Sequence, residues 1–189
     1  MRAPTASSSP WRPTSSLPGA LLLAAALMGA SAPADGGGPD GPEAVRIYLS
    51  EEEALAQAFP AADAWHALNW TPDSLARAGI EIALGWRLEE ESFCIHEARK
   101  DGELLGQALV VDQLGLYHPI TSLVALGPDA AVARVDLMVF RESRGDAVKR
   151  RRFLRQYEGK KLADPIRLNR DIQGVTGATV SARSMNASV

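Results

Sequence analysis

Through the middle of the chain, apolar and polar positions fall into two pairs of strand-like runs, each pair divided by a turn signal. Ser92 to Ala98 (SFCIHEA) and Glu103 to Val111 (ELLGQALVV) flank Asp101-Gly102, a hairpin signature. Pro119 to Leu126 and Ala131 to Phe140 flank Gly127-Pro128-Asp129. In the last run Ala133, Val135, Leu137 and Val139 alternate with Arg134 and Asp136, the pattern of a half-buried strand. The flanks are different. Val45 to Leu49 predicts a short strand, and Ser50 with Glu53 three residues on is a capping box opening a helix through EEEALAQAF. Pro60 interrupts that helix, and ADAWHAL (62–68) continues it after a kink. Thr71-Pro72 reads as an N-cap followed by proline at the first helical position, which starts a second helix over SLARAGIEIA. Residues 146–158 (DAVKRRRFLRQYE) predict one basic helix with Val148, Leu154 and Tyr157 inward and Gly159 closing it. There is no internal repeat. The class is α+β: an antiparallel sheet with N-terminal helices, a basic helix and a C-terminal loop.

The N-terminal pattern sets a leader apart from this domain. Arg2 and Arg12 precede an apolar run from Leu17 to Ala30, and Ala32-Pro33-Ala34 satisfies a small-x-small cleavage rule. Residues 1–34 are therefore expected to be a signal peptide, too short in its apolar run for the ~20 residues that span a bilayer. Residues 35–44, opening DGGGPDGP, have the composition of a linker. The expected domain is 45–189, in a protein that is exported and periplasmic or otherwise extracytoplasmic. A length of 189 residues leaves room for one such domain.

Charge sharpens the division. Residues 35–140 carry 18 acidic against 6 basic side chains, and residues 141–189 carry 5 against 12. A basic segment points to an anionic partner, and the run Lys149-Arg150-Arg151-Arg152 is its densest part. Export and the acidic balance of the rest disfavour nucleic acid, which leaves an acidic protein or a phosphate. One cysteine, Cys94, excludes an internal disulfide and any cysteine-rich metal centre. It shares a strand face with His96, but two ligands make no zinc site, and Cys94 is expected to be a small buried hydrophobe. His118, before Pro119, reads as structural. No GxSxG elbow is present.

The stretch Val175 to Ser181 (VTGATVS) holds the densest candidate chemistry. It lacks the lysine of a P-loop. Gly177 permits a positive φ, Ala178 adds no bulk, and Thr179 then presents a free hydroxyl. Thr176 and Ser181 are placed to bond nearby amides and cap a helix starting near Ser181. Two readings stand on these residues: an anion-binding turn at a helix N-terminus, or a plain loop-to-helix cap.

"GVTGATVSAR" (174–183) resembles the flavinylation signature of the FMN-binding domain family, whose core is [ST]-G-A-T-x-[ST]. That domain occurs in the covalently flavinylated subunits of the Rnf and sodium-pumping NADH:quinone reductase complexes, and in exported single-domain electron carriers. "RESRG" (141–145) is similar to the family's Glu-x-x-Gly step. "FLRQYEGKKLADPIRLNRDI" (153–172) resembles the segment before its flavin site, and "DGELLGQALVVDQLG" (101–115) its central hairpin. The resemblance spans residues 92–189. It implies one FMN per chain, esterified through its phosphate to Thr179. Thr176, Gly177, Ala178 and Ser181 would shape the loop, and Glu142 and Gly145 would belong to the cofactor site. The implied role is electron transfer to or from a membrane or cytochrome redox partner rather than stand-alone catalysis. A threonine hydroxyl needs a base or metal to react, and VTGATVS supplies neither. The resemblance accordingly implies modification by a separate, magnesium-dependent FAD:protein FMN transferase. An exported module that binds flavin or a partner non-covalently is the alternative. The chain departs from the family at Gln173, where many members carry aspartate (Asp171 lies two residues further back). It also departs after Thr179, where ten residues stand in place of a longer helix.

Overall fold

The computed structural model describes residues 45–85, 87–88 and 90–189; the leader and linker read from the sequence lie outside the described residues. Pro119–Leu126 (β5) is buried along nearly its whole length, because both of its faces are covered. Ile120 belongs to one core and Leu123 and Ala125 to the other. Around it the antiparallel sheet runs β1-β6-β5-β4-β3-β2. Its other members are β1 (Arg46–Ile47), β2 (Ala64–Trp70), β3 (Phe93–Lys100), β4 (Glu103–Leu114) and β6 (Val132–Phe140). The α+β class and both central hairpins are as the hydrophobic alternation predicts.

One face is covered by α1 (Glu51–Ala58), whose capping box is formed: Ser50 Oγ accepts from Glu53 N–H and Glu53 returns the bond to Ser50 N–H. Ala54 and Phe59 pack there on Ala98, Ala108, Leu123 and Met138. The opposite face is covered by the chain's last third, through Val148, Phe153, Leu154, Tyr157, Ile172, Ala182 and Met185. That second layer carries the stretch singled out above.

Four expectations change. ADAWHAL does not continue α1 but forms β2, paired with β3 from Ala64↔Arg99 to Trp70↔Phe93. Ala and Leu favour helix, but tertiary pairing overrides that preference: β3 offers a full ladder of hydrogen bonds and Trp65 packs on Phe59, ring centres 6.1 Å apart. The cap of α2 (Ser74–Leu84) is Asp73, not Thr71. Asp73 Oδ1 accepts from Leu75 N–H at 3.0 Å and Ala76 N–H at 2.8 Å, and Pro72 precedes the helix.

Strand β6 does not alternate strictly. Its pairing with β5 skips Ala133 and Met138, two bulges that turn Val132, Val135, Leu137 and Phe140 all onto the same core. Ala133 is exposed and Val139 packs on the other face. The basic helix is also broken, into 3-10 turns at Asp146–Lys149 and Arg155–Tyr157 around one α-turn, α3 (Arg151–Leu154). In a continuous helix of ~100° per residue, Val148 and Tyr157 would face opposite ways. Extended backbone at Arg150 (ψ 128°) lets Val148, Leu154 and Tyr157 all reach the core.

Candidate functional site

The segment after β6 begins with a buried carboxylate. Glu142 Oε1 accepts from Tyr117 N–H at 2.6 Å and His118 N–H at 3.0 Å, and Arg46 donates to the Glu142 carbonyl. These bonds tie the β4–β5 turn to the end of β6. Glu142 is thus occupied in positioning backbone, and His118 sits in the same structural junction.

Three residues on, Gly145 turns the chain at φ +95°, a left-handed conformation that a side chain disfavours. Any Cβ there would also run into Ser181 Oγ, with Ala178 Cα at 3.7 Å. The absence of a side chain therefore lets this loop press directly against the start of the last helix, α4 (Thr179–Ser188). The turn that follows is pinned from outside. Asp146 accepts from Tyr48 Oη at 2.9 Å and from Lys149 Nζ at 3.1 Å, with Arg46 3.2 Å away. The tyrosine hydroxyl first, then the two cations, holds its carboxyl below the usual aspartate range, and Asp146 and then Tyr48 raise Lys149 in turn.

The stretch itself is anchored on both sides. Ile172 is fully buried and bridges to Leu168. Gln156 clamps the backbone of Gln173, accepting from its N–H at 2.7 Å and donating to its carbonyl at 3.1 Å. Gln173 is thereby held through its main chain, with its side chain exposed. Thr176 and Gly177 then form a tight turn, closed by Ala178 N–H on the Val175 carbonyl at 3.0 Å. Gly177 takes φ +77° with open space where a Cβ would stand. Ala178 is buried as the N-cap of α4, and Thr179 is the first helical residue, exposed.

The helix thus starts two residues earlier than expected. Neither Thr176 nor Ser181 caps it through a side chain, because Ser181 lies inside the helix, buried against Gly145. The amides of its first turn have no helical partner and favour an anion. The ten residues from Thr179 form α4, fastened by Ser184 Oγ to the Leu114 carbonyl (2.7 Å) and by Asn186 Nδ2 to the Ile166 carbonyl (2.8 Å).

Beside this turn lies an open pocket of about 220 Å³, lined by Leu168, Asn169, Gly174, Val175, Thr176 and Thr179. Of the seven residues singled out from sequence, Thr176 and Thr179 line it. Ala178, Ser181 and Gly145 pack against one another outside its lining, Gly177 makes the turn, and Glu142 stands apart at the β4–β5 junction. The far wall, Leu168-Asn169, was not singled out. Its signal is Asn169 itself, a residue that tolerates the left-handed backbone it adopts (φ +63°). Gly174 is small because Asn169 Oδ1 stands 2.7 Å from where its Cβ would be.

A second polar group lies on the α1 face. Cys94 Sγ is 3.6 Å from His96 Nε2, which is 3.2 Å from Glu51 Oε1. Cys94 is exposed rather than buried: the core on that face centres on Ala98, two alternations further along the strand. Among the described residues no helix is long and apolar enough to cross a membrane.

No protein-family model and no curated protein matches this chain. Among solved structures, the crystal structure of Shewanella oneidensis NqrC is similar, with a TM-score of 0.49 and 17% sequence identity over 70% of this chain and 79% of that one.

Proposed function

We propose that this chain is an electron-transfer flavoprotein that carries one FMN as a phosphoester on Thr179. The observation that carries the reading is the placement of that residue. Thr179 is an exposed hydroxyl at the first position of a helix, on the rim of a pocket, behind a glycine turn with open space before it. The unpaired amides of the first turn of α4 favour a phosphate at that point.

The pocket suits an attached group better than a freely exchanging one. At about 220 Å³ it is smaller than the roughly 300–1,000 Å³ clefts that enclose most of a drug-sized ligand. A flavin there needs a covalent tether to stay, and keeps part of its ring accessible. Accessibility is what a carrier requires, since its partner must approach the ring. Bound FMN supplies the redox chemistry, and the chain's own residues fix its position. Thr179 provides the acceptor oxygen. Gly177 keeps the approach to it open, while Gly145, Ala178 and Ser181 set its place by close packing.

None of the six lining residues is titratable, so the pocket offers no base to take the Thr179 proton. The reading therefore includes a separate magnesium-dependent FAD:protein FMN transferase, which supplies base and metal. It also includes export by residues 1–34, placing the carrier outside the cytoplasm beside a membrane or cytochrome redox partner. A covalent bond fits that setting, because a dissociated cofactor would be lost by dilution.

Coexpression of the full chain with such a transferase tests the proposal. The purified protein should stay yellow through denaturation and filtration, and Thr179→Ala should abolish that colour. Colourless wild type, or flavin retained by the alanine variant, would refute it.

A further inference from the structure

The basic segment is more one-sided in space than in sequence. Its acidic residues are nearly all engaged: Glu142 on backbone amides, Asp146 on Tyr48 and Lys149, Glu158 on Arg151, Asp164 on the Lys161 N–H. Its lysines are engaged as well. Lys149 pairs with Asp146, Lys161 with Asp129 at 2.8 Å, and Lys160 donates to the Pro165 carbonyl.

What remains is arginine. Arg144, Arg150, Arg152, Arg155, Arg167, Arg170 and Arg183 are all exposed, and each makes no side-chain hydrogen bond or ion pair with another described residue. Five of them, Arg144, Arg155, Arg167, Arg170 and Arg183, lie on segments that meet around the Thr179 turn. Arg144 adjoins Gly145, which touches Ala178 and Ser181. Arg155 adjoins Gln156, which clamps Gln173. Arg167 and Arg170 bracket Leu168-Asn169, the pocket wall, and Arg183 stands one helical turn beyond Thr179 on the same side of α4.

We infer that this arginine-rimmed face around Thr179 is the docking surface for an acidic protein. The inference rests on the proposed function only in giving the redox partner this face. The residue type selects the partner class. A bilayer of anionic lipid attracts lysine and arginine alike as point charges. Protein interfaces instead enrich arginine and deplete lysine, because the planar guanidinium matches a carboxylate with two parallel hydrogen bonds. Here Lys149 and Lys161 are paired with carboxylates within the fold, while most of the segment's arginines are left. The arrangement also surrounds a concavity, which a convex acidic rim can enter and a flat membrane cannot. The rest of the chain is acidic, so the molecule is polarised and an acidic partner is steered to this face and repelled elsewhere.

The test uses the full chain expressed without a transferase, so that it does not depend on Thr179 accepting flavin. Binding is measured to a polyglutamate peptide, to phosphatidylglycerol–phosphatidylcholine vesicles and to single-stranded RNA at ~0.1 M and ~0.5 M salt. Polyglutamate should bind best and be released by high salt. A chain carrying Arg144→Glu, Arg167→Glu and Arg170→Glu should bind it about tenfold or more weakly. Lys100→Glu, at the exposed end of β3, should leave binding unchanged, and unaltered thermal melting checks that both variants fold. Tighter binding to vesicles or RNA overturns the inference, as does equal loss from Lys100→Glu or undiminished binding by the triple variant. If the triple variant does not fold, Arg167→Gln with Arg170→Gln replaces it, with a weaker loss expected and an unchanged affinity again decisive.

Discussion

At the scale of single residues, what the structure adds is contact between positions far apart in sequence. Gly145 and Ser181 each stand out as part of a short motif, but nothing in periodicity says that they touch. Gly145→Ala places a Cβ against Ser181 Oγ on backbone already at φ +95°, so it should lower stability by about 2–4 kcal/mol, measured by denaturant titration. Adding Ser181→Gly removes the collision but not the backbone strain. The double variant should therefore recover part of the loss, and a strictly additive result would show that the two do not interact. Tyr157 makes a different case. Its hydroxyl is buried without a hydrogen-bond partner, and burial raises its pKa well above the ordinary value of 10.0. Above that value the unfolded chain releases the phenolic proton while the folded chain keeps it, so stability falls as pH rises past about 10. Tyr157→Phe should be neutral or slightly stabilising at pH 7 and should flatten that alkaline decline. A decline as steep in the variant as in the wild type would contradict it.

At the scale of elements, legibility followed whether the deciding interaction was local. The α1 capping box lies within four residues and is formed as read, and both hairpins are marked by their own turns. Residues 64–68 read as helix in the sequence because their pairing partner, β3, lies beyond α2. The basic run reads as one helix in the sequence because Val148, Leu154 and Tyr157 were assigned to one inward face. The need for Val148 and Tyr157 to reach one core breaks the helix at Arg150. The turn Asp146–Lys149 is held across the fold by Tyr48, at the edge of β1, and this has a pH signature. Asp146 is depressed mainly by the Tyr48 hydroxyl, so the stability it contributes is present above the usual carboxylate range and is lost as pH falls through it. Tyr48→Phe should therefore be less stable than wild type at pH 7, with the difference shrinking as the pH drops below about 4. A difference independent of pH would assign the loss to packing alone.

At the scale of the whole molecule, the chain uses one side of its sheet for stability and the other for presentation. The α1 face closes a small apolar core, while the opposite layer packs its apolar residues inward and leaves Thr179, the pocket and the arginine rim facing out. The glycine turn and the exposed Thr179 behind it were legible in the sequence, since each depends on a short motif. The pocket wall at Leu168-Asn169 and the convergence of the arginines were not, because both come from chain reversals joining segments that the sequence keeps apart. The central claim concerns one oxygen atom, and the chain is suited to locating it. Arg170 and Arg183 are tryptic sites bounding DIQGVTGATVSAR, a peptide that contains Thr176, Thr179 and Ser181 together. Fragmentation of that peptide, from protein coexpressed with an FAD:protein FMN transferase, should find a single FMN phosphoester and place it on Thr179. An unmodified peptide, or FMN on Thr176 or Ser181, would contradict the account.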